Sequence, residues 1–276
     1  MIVDYHLHLR PDGSGLDEDA YAPEHLARYA ATARERGVGE IAITEHIYRF
    51  AQASHLSDHV YWREHTLADI DRYCTGVAAA RDSGLPILLG IELDWLGPAA
   101  ADAVGALADG YPWDVVLGSV HWSGPLAFDH PDYSIWETRT VDEGWRVYVD
   151  AVCAAAESGT YDVMAHPDLA KVFGQRPTAA LADELGDRLA ECFRETGVCA
   201  EISSAGLRKA ASEIYPSDAW LLKLYAAGVP ITLASDAHLA ADVGIGVDQC
   251  LAAASAAGYT SLMRFRGREG REVTLG

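Results

Sequence analysis

Short apolar runs alternate along the chain with longer segments whose apolar residues recur every three or four positions. The short runs predict strands at Ile2–His8, Ile41–His46, Ile87–Trp95, Val115–His121, Asp162–His166, Cys199–Ser203 and Ile231–His238. The longer segments predict helices at Pro23–Arg36, Arg63–Ser83, Pro98–Ala108, Val141–Glu157, Thr178–Thr196, Ser217–Ala227 and Ala241–Ala257. Strand–helix alternation implies a parallel sheet. About seven such units over residues 1–276 point to one α/β domain, a closed or nearly closed barrel, with an open doubly wound sheet as the alternative. Two polar, aromatic stretches, Ile47–Arg63 and Trp122–Arg139, each follow a strand ending in histidine. Long loops there would wall the C-terminal face of a barrel.

Composition narrows the setting. No apolar run reaches the roughly 18–20 residues that span a bilayer. The N-terminal M-I-V-D-Y-H carries neither a basic segment nor a signal-type apolar stretch. The five cysteines form no C-x-x-C pair, which suggests reduced thiols in a cytoplasmic protein, monomeric or homodimeric. A net charge of −20 disfavours nucleic acid polymers and anionic membranes as partners. A small phosphorylated substrate remains compatible, because bound cations reverse the local field.

The candidate chemistry sits at the strand ends. D-Y-H-L-H, T-E-H, G-S-V-H, A-H-P-D and S-D-A-H deliver His6, His8, His46, His121, His166 and His238. Period-two spacing places His6 with His8, and Asp236 with His238, on one side of a strand. Glu92 ends an apolar run with no basic residue near it in sequence. A buried carboxylate is costly unless compensated, and bridging two cations would compensate it. Imidazoles and carboxylates brought to one rim are what a polynuclear metal site requires. Asp94, two residues on, either supports a ligand or contacts substrate. His55, His59 and His130 are loop histidines that would at most line a pocket.

These motifs resemble the polymerase-and-histidinol-phosphatase (PHP) superfamily of metallohydrolases, and among its members the histidinol-phosphate phosphatases. The general marks are H-L-H, T-E-H, G-I-E, His121, A-H-P-D and S-D-A-H. The more specific ones are G-S-V-H followed by Phe128–Asp129, D-V-M-A-H-P-D-L-A-K, and G-L-R-K followed by E-I-Y-P-S. The resemblance implies a distorted (β/α)7 TIM-like barrel with its metal site at the C-terminal ends of the strands. It implies two or three divalent ions (zinc, manganese or iron). One would be held by His6, His8, Glu92 and Asp236, a second by Glu92, His121 and His166, and a third by His46 and His238. Where many members carry a further histidine after the first motif, this chain has R-P-D-G-S-G, with Asp12 the nearest substitute. An Asn-containing segment before G-L-R-K is here I-S-S-A.

The implied activity is hydrolysis of a phosphate monoester, L-histidinol phosphate in histidine biosynthesis. Arg208 would pair the phosphoryl oxygens, Asp236 or His238 would protonate the leaving oxygen, and Asp94 or Asp129 would meet the substrate amine. Related phosphoesterases acting on nucleotides or cyclic phosphates, and a non-catalytic metal-binding domain, are the alternatives.

Overall fold

The computed structural model describes residues 1–15 and 19–275. Seven parallel strands follow one another in chain order: β1 (Ile2–Asp4), β2 (Val38–Ile43), β3 (Ile87–Asp94), β4 (Val115–Ser119), β5 (Val163–Met164), β6 (Cys199–Ser203) and β7 (Ile231–Ala234). The ring closes between its first and last strands. Tyr5 N donates to Leu233 O at 3.0 Å and His8 N to Ala237 O at 2.8 Å, so the barrel reading holds over the open sheet. Helices α1 (Pro23–Glu35), α2 (Val60–His65), α3 (Ile70–Asp82), α4 (Ala101–Asp109), α5 (Val141–Glu157), α6 (Ala179–Thr196), α7 (Asp218–Ala226) and α8 (Val247–Ala257) connect the strands. Every residue of β3, β4, β6 and β7 is buried, as expected for strands covered on both faces. Packing is tight enough to dictate Gly118 in G-S-V-H, since a Cβ there would lie 2.4 Å from the Tyr161 ring.

Two helices and several strand ends differ from the sequence pattern. The expected helix Arg63–Ser83 is two helices. Leu67 N and Ala68 N donate to Arg49 O at 3.1 and 2.8 Å, and Ala68 O accepts from Ala51 N, so residues 67–68 pair with the preceding loop. Asp69 then caps α3 through Asp71 N at 2.8 Å. The expected helix from Ala241 begins at Val247, because Gly244 and Gly246 take φ of 73° and 74° and Gly244 N bonds the buried Asp4 carboxylate at 3.0 Å. All five expected strands that end in histidine, at His8, His46, His121, His166 and His238, stop short of it. His166 and Asp236 sit at φ 28° and 50°, where the ladder cannot continue.

The pattern also missed an antiparallel hairpin, β8 (Ser261–Arg266) and β9 (Glu269–Thr274). It crosses the N-terminal ends of the barrel strands. Arg264 Nη2 donates to Glu40 Oε2 at 2.8 Å, Gly267 N to Asp114 Oδ1 at 3.2 Å, and Arg268 reaches Asp162 at 3.2 Å and Thr160 O at 2.7 Å. Burial raises the Asp162 carboxyl above its ordinary range, and Arg268 opposes that rise. Arg268→Ala should destabilise the protein by about 1–2 kcal/mol, read by denaturant unfolding, without altering the far end of the barrel. The attraction requires ionised Asp162, so the deficit should narrow as pH falls through the raised carboxyl value. A deficit independent of pH would show that Arg268 acts through packing alone.

Candidate metal centre

Six strand ends meet in one cluster. His6 and His8 follow β1, His46 follows β2, Glu92 and Asp94 close β3, His121 follows β4, His166 follows β5, and Asp236 and His238 follow β7. Glu92 is fully buried at their focus. Its Oε1 lies 3.3 Å from His6 Nε2, 3.3 Å from His166 Nε2 and 3.6 Å from His121 Nε2. Its Oε2 lies 2.5 Å from His46 Nδ1 and 3.6 Å from His8 Nε2. Asp236 Oδ1 faces His8 Nε2 at 3.5 Å and His238 Nδ1 at 3.6 Å. Asp12 spans the outer side, with Oδ1 3.2 Å from His46 Nε2 and Oδ2 3.1 Å from His238 Nε2. All nine residues singled out as metal candidates therefore converge.

The donor set fits divalent cations. Three groups, His6/His8/Glu92, His46/Glu92/His121 and His8/His46/His238, each place their ligand atoms within 4.8 Å of one another. His6 Nε2 and His8 Nε2 stand 3.1 Å apart. Two nitrogens on one tetrahedral zinc would stand about 3.3 Å apart, from Zn–N of about 2.0–2.1 Å. His46 Nδ1 and Nε2, Glu92 Oε2 and His238 Nε2 are buried and make no aligned hydrogen bond. These atoms aim at common points rather than at one another. The local backbone serves this aim, since the left-handed conformations at His166 and Asp236 turn both side chains into the cluster, a strain typical of functional sites.

Surrounding carboxylates set the imidazole tautomers. Glu201 Oε2 takes His6 Nδ1 at 2.8 Å while its Oε1 accepts His166 N at 3.1 Å. Asp94 Oδ1 takes His121 Nδ1 at 2.7 Å. Each bond leaves Nε2 facing Glu92. Burial pushes the Glu92 carboxyl upward, but His46, His6, His121 and His166 more than offset it and hold it well below the carboxylate range. Burial, reinforced by His46 and His238, lowers His8 to about 4, which keeps its imidazole neutral and its lone pair available.

A cleft opens above the cluster with two lobes that share Asp12, His46, His121 and Asp129. Tyr48, Tyr61, Trp122 and His130 line one lobe; Leu169, Val172, Phe173, Lys209 and Tyr215 line the other. The two long loops thus wall the mouth, as expected. His130 lines the cleft and His59 packs on Trp122 at 4.6 Å between ring centres. Asp94 is buried behind His121, whereas Asp129 faces the cleft. Arg208 is exposed and is not among the residues lining either lobe; its Nη2 donates to Ser235 O at 2.7 Å and Asp236 O at 3.3 Å.

The PHP domain family model matches residues 6–205, which span the histidine motifs from His6 to His166. The chain belongs to the PHP domain family. It is 30% identical over 223 residues to a Deinococcus radiodurans protein named a probable histidinol-phosphatase, covering 78% of this chain and 81% of that one. Its fold matches the crystal structure of Lactococcus lactis histidinol phosphate phosphatase complexed with zinc, L-histidinol and phosphate. The TM-score is 0.79 at 18% identity, over 98% of both chains. A Listeria monocytogenes protein provisionally assigned as a histidinol phosphatase matches with TM-score 0.74 and 18% identity, over 90% of this chain and 99% of that one. The histidine–glutamate cluster of this PHP chain has the donor atoms and spacing to hold divalent ions. Among the described residues no helix is long and apolar enough to cross a membrane.

Sequence reasoning missed several supports of this PHP centre. Glu201 is the one charged residue of C-A-E-I-S, and that isolation on a buried strand was its signal. The motifs A-H-P-D-L-A-K and E-I-Y-P-S prove to be one unit. Buried Lys171 Nζ pairs Asp168 at 2.7 Å and Glu213 at 2.9 Å and donates to Ile214 O, while Asp168 accepts from Ser217 N. Lys171→Met should destabilise the fold by about 3–5 kcal/mol, because Asp168 stays buried without its partner; chemical unfolding measures this. Glu201→Ala should weaken metal affinity about 10–100-fold, measured by competition with a chromogenic chelator. Wild-type affinity in that variant would mean that His6 needs no outer partner.

Proposed function

We propose that this chain is a metal-dependent phosphoric monoester hydrolase whose substrate is L-histidinol phosphate, placing it in histidine biosynthesis. The observation that carries the reading is the buried Glu92 with five imidazoles within 3.6 Å of its oxygens. Family membership and the Deinococcus radiodurans relative support the activity and the substrate. His6, His8, Glu92 and Asp236 hold one cation, Glu92, His121 and His166 a second, and His46, His238 and Asp12 a third. Mixed imidazole and carboxylate ligation admits zinc, manganese or iron. When bound, such cations supply a nucleophile from water at neutral pH and a template of positive charge for the phosphoryl group.

The protein's own residues do the rest. Arg208, anchored by the carbonyls of Ser235 and Asp236, presents a planar fork to phosphoryl oxygens. Burial pushes the Asp236 carboxyl upward, but His6, His8 and His238 more than offset it and keep it ionised, which suits it to hold a cation rather than to give a proton to the leaving oxygen. Asp94 keeps His121 oriented. Asp129, facing the aromatic lobe of Tyr48, Tyr61, Trp122 and His130, pairs with the substrate ammonium while the rings pack against its imidazole.

Three outcomes test this. Chelation and His121→Ala should each reduce hydrolysis of L-histidinol phosphate by more than about 100-fold, since loss of an outer partner alone gives up to that much. Catalytic efficiency should be higher for L-histidinol phosphate than for nucleoside monophosphates and cyclic diesters. The reverse order would reassign the substrate. Asp129→Asn should lower kcat/KM for L-histidinol phosphate about 10–100-fold, the worth of a charge-assisted hydrogen bond. For a phosphate ester without an amine the loss should be much smaller.

A further inference from the structure

Asp12 is held in an unusual way for a residue whose side chain is about half exposed. Its two oxygens divide between His46 Nε2 and His238 Nε2. Left alone on the R-P-D-G turn, such a carboxylate gains more from water than from two imidazoles. Its Oδ1 is instead gripped from below by Arg49 Nη2 at 2.9 Å and by the Tyr48 hydroxyl at 3.1 Å. Arg49 is itself buried, and its other arm, Nη1, donates to Glu45 Oε2 at 2.5 Å. Glu45 accepts from Leu9 N at 2.7 Å through its second oxygen and lies 3.9 Å from His8 Nδ1. Both gripping residues belong to the Ile47–Arg49 turn that leaves His46. One short segment thus supplies an imidazole and fixes the carboxylate facing it.

We propose that Arg49, assisted by Tyr48, is a positioning residue that clamps Asp12 as the carboxylate donor of the outer cation site. That site is made of Asp12, His46 and His238, with His8 stacked on His46 at 3.9 Å between ring centres and 4.3 Å from His238. The guanidinium fork suits this role because it holds two carboxylates at a fixed separation, one pointed into the barrel wall and one into the cleft. Its charge is neutralised by Glu45, so Arg49 orients Asp12 without removing the negative charge a cation needs. Among the described residues Arg49 makes no hydrogen bond or ion pair with His6, Glu92 or His166, and its link to the inner set runs only through Glu45, 3.9 Å from His8 Nδ1. This inference rests on the metal-centre reading above but not on the identity of the substrate.

The test counts metal rather than turnover. Full-length protein is equilibrated with buffered zinc or manganese, desalted and analysed for bound metal, with affinities from chelator competition. Arg49→Met strands Glu45 in the interior, so the double variant Glu45→Gln/Arg49→Met, which removes both charges together, is measured beside it. Tyr48→Phe deletes only the second bond, and Asp12→Asn serves as reference. The clamp predicts that the Arg49 variants and Asp12→Asn each lose one equivalent of three, or bind it at least tenfold more weakly, while the other two stay. Tyr48→Phe should weaken that same equivalent. If Arg49→Met does not fold, the double variant and Tyr48→Phe decide. Full occupancy at wild-type affinity in those two variants would overturn the proposal. Loss of all metal together would also overturn it, as would a wild-type protein that takes up only two equivalents at saturation. Hydrolysis of L-histidinol phosphate is measured separately, so failure of the substrate assignment leaves the metal count intact.

Discussion

A carboxylate sealed inside a protein must be neutralised where it stands, and Glu92 is such a group. It lies two residues before the end of β3, a strand buried along its whole length and flanked by β2 and β4. Uncompensated, the ion would cost several kcal/mol. Five imidazoles surround it, and two of them, His6 and His121, find carboxylate partners for their outer nitrogens in Glu201 and Asp94. Each layer is thus demanded by the one inside it. The barrel is the frame that brings five further strand ends within reach of one glutamate.

Seven strands and their parallel sense were legible because buried parallel strands read as short apolar runs alternating with helices, whereas closure of the ring rests on bonds between the first and last strands. The ligand candidates were legible because period-two spacing survives even where the ladder ends, as at His6 and His8. Local pattern could not show where hydrogen bonds from remote segments override it. Arg49 O captures Leu67 and Ala68 and breaks a helix that periodicity made continuous. Strand β8 was hidden because its buried residues, Leu262 and Phe265, are three apart rather than two. Glu201 was hidden for another reason, since it lies 195 residues from His6 and only closure of the ring makes them neighbours.

The two long loops do more than surround the mouth. The first carries Tyr48 and Tyr61, the second Trp122, Asp129 and His130, and together they form an aromatic lobe beside the cluster. The opposite lobe is braced by the Lys171 network, which ties the segment after His166 to the segment before α7. Two unrelated pieces of chain therefore fix the cleft from its two sides, one by ring packing and one by buried charge. The cluster forms the floor they share.

The β8–β9 hairpin makes the two ends of the barrel unlike. It lies across the strand starts, gripping Glu40, Asp114 and Asp162, above a barrel interior already filled by side chains. Among the described residues the hairpin covers strand starts at that end, while the cluster faces the cleft at the other. A molecule resting on that floor would cover the cluster from the cleft side.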